Sequence, residues 1–226
     1  MSKVTKYVPS IFTSLNLLSG FIAILVGDFY HSSSLLLLCI GFDMMDGMTA
    51  RMFNAQSELG KELDSLPDMV SFGIAPAYLY FLLSPFNSMV SYFIPCFFIV
   101  ASALRLAKFN IIPSSKNFLG LPTPATAFFL LGLYYSYHFD NPFVVGILEN
   151  KWTYTFIPIF FSVMMLSNLR MFSMKGVDKR IWRHKYQFMQ LLIFGSLLFI
   201  DYKLAIPVSV LTYILLSIMQ NVTVRD

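Results

Sequence analysis

The sequence predicts an all-α, polytopic integral membrane protein, a bundle of about eight transmembrane helices forming a single membrane domain over residues 1–226. Three observations predict it. Hydrophobic residues make up 57% of the chain and charged residues only 12%, against roughly 45–50% and about 25% in soluble domains. The apolar residues fall into runs close to the ~20 residues that a bilayer span needs. Eight such runs consume roughly 160 residues and leave only short loops. The same composition excludes a disordered chain, and a total of 2 cysteines excludes a disulfide scaffold. Cys39 and Cys96 sit in apolar runs and are expected as small buried hydrophobes with no bond between them.

Taken in order, the first run, 11–27, follows Lys3 and Lys6. That is how a signal peptide begins, but no small-residue cleavage site follows, so a retained span is expected. Runs 31–53 and 61–83 have the length of spans yet carry carboxylates. Runs 88–109, 122–139 and 152–170 are cleaner. The fifth is preceded by 120–124, where two prolines and a glycine read as a shaped loop entering a helix, with a lid over a site as the sharper alternative. Runs 185–201 and 203–221 are parted only by the turn 201–203, so one bent segment is the alternative to two spans.

Charge placement sets the orientation. With the N-terminus in the cytoplasm and eight spans, 14 of the 16 Lys and Arg residues fall inside, and only Lys151 and Lys203 fall outside. Cytoplasmic loops carry the positive excess, which places this chain in a cytoplasmic (inner) membrane with its basic loops inward. Six of these cations lie in 170–185. They read as an orientation signal, compatible with contacts to anionic lipid headgroups at ~1 kcal/mol per residue. The net charge of +4 therefore does not argue for nucleic acid, since no soluble surface remains to dock a duplex.

The informative feature is the hairpin between spans two and three. It holds Asp43, Asp46, Gly47, Ala50 and Arg51, then Gly60, Asp64 and Asp68. A carboxylate at a membrane helix centre costs about 2.5–3.5 kcal/mol on insertion scales, so four on one hairpin require compensation. At about 100° per residue, Asp43 and Asp46 lie ~60° apart on one face, with Gly47 and Ala50 on the same stripe as Asp43. Asp64 and Asp68 lie ~40° apart on the next helix, and Ser71 continues that face one turn deeper. With Arg51 and Gly60 at the cytoplasmic edge, Asp46 and Asp64 are ~6–8 Å deep and Asp43 and Asp68 ~12 Å deep. An antiparallel hairpin thus stacks the acids in two layers around one cavity open to the cytoplasm.

Four converging carboxylates cannot all stay ionised without cations, although protonation relieves some of the repulsion. All-oxygen ligation suits Mg²⁺ or Mn²⁺, with Ca²⁺ possible. His31, His138 and His184 are scattered, so no zinc cluster is expected and they read as interface residues. Two divalent cations among four carboxylates suit phosphoryl chemistry. Gly47, Ala50 and Gly60 leave room beside the acids for a nucleotide diphosphate, with close helix packing as the plainer alternative.

The complete pattern D-x2-D-G-x2-A-R-x8-G-x3-D-x3-D, from Asp43 to Asp68, resembles the signature of the CDP-alcohol phosphotransferase family. The resemblance implies a helical membrane enzyme, usually a homodimer, with a polar cavity facing the cytoplasm. It implies metal binding by Asp43, Asp46, Asp64 and Asp68, with Asp68 also the catalytic base. It implies nucleotide binding by Gly47, Ala50, Arg51 and Gly60. The flanks 71–77, 103–110 and 118–125 are similar to the phosphatidylserine synthase branch, as is Pro9-x3-Thr13-x2-Asn16, which departs at Ser10 where Asn is expected. Thr13 and Asn16 are accordingly expected beside the nucleotide. The substrates implied are CDP-diacylglycerol and L-serine. Ser71, Arg105, Lys108 and Asn110 are candidates for the acceptor or the lipid phosphate. Arg105 and Lys108 suit either the phosphate or the serine carboxylate, Arg being the better carboxylate clamp through its planar fork. Glycerol-3-phosphate or inositol phosphate as acceptor is the alternative. An ion or solute transporter is a remote one, because the acids cluster near one face with no second polar break and no inverted repeat.

Overall fold

Helices form along the apolar runs, and they end where glycine, proline and short polar side chains offer the backbone another partner. A computed structural model describes residues 7–53, 55, 58–111, 118–171 and 185–223. Helix α1 spans Val8–Val26 and α2 spans Phe29–Met52. The turn between them is closed by Gly27 at φ 61°, whose N–H returns to the Ala23 carbonyl. Asp28 caps α2 by accepting from the His31 N–H at 2.9 Å. That bond holds the Asp28 carboxyl below its ordinary range.

The third span is not one regular helix. It runs as α3 (Glu58–Asp68), a π-helical stretch over Met69–Ile74, and α4 (Ala75–Leu82). Pro67 sits one residue before Asp68 and removes a backbone donor there. The wider turn changes the angular step after Asp68, so the regular-helix reckoning of which residues share its face fails from Met69 onward.

Helix α5 covers Val90–Ile111, α6 Thr123–His138, α7 Pro142–Glu149, α8 Lys151–Leu166, α9 Lys185–Ile200 and α10 Tyr202–Thr223. Each expected apolar run thus carries helix, and the last two are separate helices. Four, α1, α2, α5 and α10, are long and apolar enough to cross a membrane by themselves. Two short features go beyond the expectation. Helix α7 fills what reads as a loop, capped by Asn141, which accepts from the Phe143 and Val144 N–H groups. Strands β1 (Phe118–Leu119) and β2 (Arg170–Met171) form a small antiparallel pair.

Helix α1 packs against α2 and α3, α6 against α10 and α4, and α5 against α8. Helix α6 is the most enclosed, burying ten of its residues. Gly132 on α6 permits the close approach of α10, since a Cβ there would lie 2.7 Å from Pro207 Cδ. Carbonyls freed by prolines find side-chain donors, as a bilayer interior demands. Pro158 frees the Tyr154 carbonyl, which accepts from the Tyr80 hydroxyl at 2.8 Å. Pro207 frees the Lys203 carbonyl, which accepts from Ser136. Among the cysteines, Cys39 is buried but Cys96 is exposed, against expectation, because it lies on the outward face of α5.

Gly120 shapes the loop entering α6. It takes φ 75°, and a Cβ there would lie 2.2 Å from the Met165 carbonyl oxygen. Its N–H donates to Leu169 O at 2.8 Å and that of Leu121 to Met164 O at 3.1 Å, which pins the loop to the end of α8. Gly120→Ala combines backbone strain of about 1–2 kcal/mol with this overlap. Thermal unfolding in detergent is expected to show a large loss of Tm. Gly41→Ala, whose added methyl meets nothing within 4 Å, should be neutral or stabilising by roughly 0.5–1 kcal/mol. Equal Tm values for the two variants would contradict this account of the loop.

Candidate functional site

The buried face of α1 is its polar one: Thr13, Asn16, Ser19, Gly20 and Ala23. Helical spacing sets these residues on one stripe, which faces the acidic hairpin while apolar side chains point outward. Thr13 Oγ1 donates to Asp46 Oδ2 at 3.2 Å. Asn16 Nδ2 donates to Asp68 Oδ1 at 3.5 Å. The hairpin's acids therefore meet neutral donors from the first helix.

Asp43, Asp64 and Asp68 each present a carboxylate oxygen, all within 4.8 Å of one another, and all three side chains are half-buried. Asp46 is buried, stands outside that trio, and lies close enough to Asp64 and Asp43 to repel them. Helices α2 and α3 thus bring the four sequence-predicted acids together from both arms of the hairpin. Three negative groups in one half-buried cluster repel strongly at low dielectric. An all-oxygen, all-anionic donor set at this separation fits a hard divalent cation.

The small residues divide. An added Cβ at Gly47 meets nothing within 4 Å, so Gly47 is not packed against a helix and leaves open space beside the acids. Ala50 is half-buried and Gly60 exposed at the ends of the same arms. The exposed Arg51 folds back one turn, its Nε donating to Gly47 O at 2.9 Å.

The remaining candidates lie on α5 and the π-helical stretch. Arg105 is buried, and its Nη1 donates to Thr123 Oγ1 at 2.9 Å at the start of α6. Its Nε is buried without a hydrogen-bond partner among the described residues. Lys108 is exposed and turns to Asn168 Oδ1 at 3.3 Å, which aligns it with the loop after α8. Asn110 Nδ2 donates to Ser65 Oγ at 2.9 Å and to Glu62 Oε2 at 3.2 Å, tying α5 to α3. Ser71 does not continue the face of Asp68 toward the acids. The π-helical turn directs it to α1, where its hydroxyl donates to Asn16 Oδ1 at 2.6 Å. Thr123 and Glu62 escaped the sequence reading. Thr123 sits in a quoted flank, but nothing in its spacing marks it as the partner of Arg105. The cations Lys3, Lys6, Lys116, Lys175, Lys179, Arg180, Arg183 and Arg225, with His184, lie outside the described residues.

The chain was compared with known proteins. A family model described as CDP-alcohol phosphatidyltransferase matches residues 6–164. A Methanocaldococcus jannaschii protein named CDP-diacylglycerol–serine O-phosphatidyltransferase is 46% identical over 120 residues, which is 53% of this chain and 56% of that protein. A Helicobacter pylori protein of the same name is 31% identical over 222 residues, covering 94% of this chain and 90% of its own. An archaetidylserine synthase of Methanothermobacter thermautotrophicus is 31% identical over 180 residues, 74% of this chain and 71% of its own.

Proposed function

The chain belongs to the CDP-alcohol phosphatidyltransferase family, and on that premise we propose that it transfers a phosphatidyl group from CDP-diacylglycerol to L-serine, giving phosphatidylserine and CMP. The observation that carries this reading is the convergence of Asp43, Asp64 and Asp68 oxygens within 4.8 Å on the signature hairpin. The names of these relatives support serine as the acceptor. The chain is an integral membrane protein, which suits a lipid donor with a nucleotide headgroup.

In this reading the serine hydroxyl oxygen attacks the phosphorus that bears the lipid. The bond from that phosphorus to the CMP oxygen breaks, and CMP departs with the bonding electron pair. Asp68 takes the hydroxyl proton; a base must lie within about 3 Å of that proton's oxygen, or reach it through one water. Asp43, Asp46, Asp64 and Asp68 would hold divalent cations, Asp43, Asp64 and Asp68 forming the tightest group; two Mg²⁺ or Mn²⁺ ions are proposed. Bound there, such ions polarise the phosphate and stabilise charge on the departing oxygen. Gly47, Ala50, Arg51 and Gly60 border the nucleotide, with Thr13 and Asn16 on the α1 side. Arg105 receives the anionic end of serine or the lipid phosphate, with Lys108 and Asn110 further along the same helix, while Ser71, turned to Asn16, is left out of this group.

The count of basic residues supports an N-terminus and acidic cavity that face the cytoplasm of an inner membrane. A homodimer in contact with anionic lipids, and one membrane domain over 1–226, complete the proposal. Purified protein supplied with CDP-diacylglycerol and labelled serine is expected to release CMP and form phosphatidylserine. Turnover should stop with EDTA and return with Mn²⁺. Metal-independent product would refute the cation role, and turnover with glycerol-3-phosphate but not serine would refute the acceptor.

A further inference from the structure

We infer that Ser71 and Asn16 are positioning residues for Asp68: the Ser71 hydroxyl locks the Asn16 amide, and the locked amide sets the orientation of the Asp68 carboxylate. The inference rests on the reading of Asp68 as the base.

Both residues are fully enclosed, at 0% exposure. A buried primary amide in a bilayer protein must place both its carbonyl and its NH2. Here the carboxylate end decides the assignment and the hydroxyl end agrees with it. Asp68 Oδ1, 3.5 Å away, accepts and therefore needs the NH2. The Ser71 hydroxyl, 2.6 Å away, donates to the carbonyl oxygen that this assignment turns toward it. The amide cannot flip without facing oxygen to carboxylate.

Some helical hydroxyls of this chain satisfy themselves within their own helix, while others, such as Ser32 and Ser65, reach across to a neighbouring one. Ser14, Ser34, Thr49, Ser162 and Ser217 each donate to the carbonyl four residues earlier in their own helix. Ser71 instead reaches across to α1, to the Asn16 side chain and, at 3.2 Å, the Asn16 carbonyl. The π-helical stretch that starts just after Asp68 turns it that way. The approach is possible only because position 20 is glycine. A Cβ on Gly20 would lie 2.6 Å from Ser71 Oγ and 3.1 Å from Ser71 Cα. A chain of contacts thus runs from Gly20 through Ser71 and Asn16 to the carboxylate. Three parts of the fold, α1, α3 and the π-helical stretch, supply it.

Outer partners that orient a reacting or metal-binding group typically change activity by 10–100-fold when lost. In the purified full chain, Ser71→Ala is expected to lower kcat by about tenfold while KM for CDP-diacylglycerol and for serine stays within about twofold. Asn16→Asp keeps the acceptor for Ser71 but loses the donor and faces Asp68 with a second carboxylate; kcat should fall by about 100-fold. Gly20→Ala, which touches no substrate in this reading, should reproduce the kcat loss of Ser71→Ala. The double variant should lose no more than either single one. Thermal unfolding of each variant identifies any that fails to fold, and Ser71→Ala, which only deletes an oxygen, keeps the test available. An unchanged kcat in folded Ser71→Ala would overturn the inference. So would a loss in Ser71→Ala that appears mainly in KM for CDP-diacylglycerol, which would make Ser71 a nucleotide contact. If Asp68→Asn itself retains turnover, the reading of Asp68 fails. If Asp68→Asn is inactive and Ser71→Ala is normal, only the positioning role fails.

Discussion

Asp68→Asn is expected to lower kcat by about 10³-fold or more, near the upper part of the 10²–10⁴ range for a general base, while CDP still binds with part of its affinity. Asparagine matches the shape of aspartate, so the contact with Asn16 and the packing around Pro67 tolerate it. What is lost is the ability to take a proton and one of the three oxygens that cluster within 4.8 Å. Asp43, Asp64 and Asp46 remain as cation ligands. Asp46→Asn should behave differently. Asp46 accepts from Thr13 on α1 and lies near Asp64, so its loss should weaken Mn²⁺ and CDP binding together. Calorimetric titration of both variants with CDP, at several Mn²⁺ concentrations, separates the two. Equal loss of CDP affinity would contradict the division of labour between the acids.

Arg105→Ala is expected to raise KM for serine by about 30-fold or more, corresponding to roughly 2 kcal/mol or more for a truncated, hydrogen-bonded charge pair, with KM for CDP-diacylglycerol little changed. Arg105 is 9% exposed. Its bond to Thr123 orients the group but does not neutralise it. The buried Nε–H finds no acceptor among the described residues. A buried cation in that state is suited to an incoming anion, and its planar fork suits a carboxylate. Arg105→Lys keeps the charge without the fork and should fall between wild type and Arg105→Ala. If the change appears instead in KM for CDP-diacylglycerol, Arg105 serves the lipid phosphate and the serine carboxylate is held elsewhere.

The apolar runs revealed the helices because bilayer spans must be long, apolar and internally hydrogen-bonded. The acids of the hairpin were legible for the converse reason: four carboxylates in that setting are too costly to be incidental. Side-chain direction beyond Asp68 was not. Pro67 marks the place of the irregularity, but whether a helix answers a proline with a kink, a break or a wider turn is decided by packing. Here the choice depends on Gly20 and Asn16, about fifty residues earlier in the chain. The β1–β2 pair was hidden because two-residue strands carry no periodicity. Helix α7 was hidden because eight residues are too few to display a face. The engagement of Arg105 with Thr123, and of Asn110 with Ser65, is tertiary and has no signature in local spacing.

The polar stripe on α1 also bears on how this chain enters its membrane. Helix α3 carries Glu58, Lys61, Glu62, Asp64 and Asp68 within its 11 residues. Each ionised side chain near a helix centre opposes insertion by about 2.5–3.5 kcal/mol, so α3 is a poor candidate to partition alone. The helix that offers donors to it, α1, is synthesised first. By the time α3 leaves the ribosome, Thr13 and Asn16 are already in place on an apolar helix. A donor-bearing first helix ahead of an acidic third one is thus an order of synthesis that suits the assembly of this hairpin in a membrane.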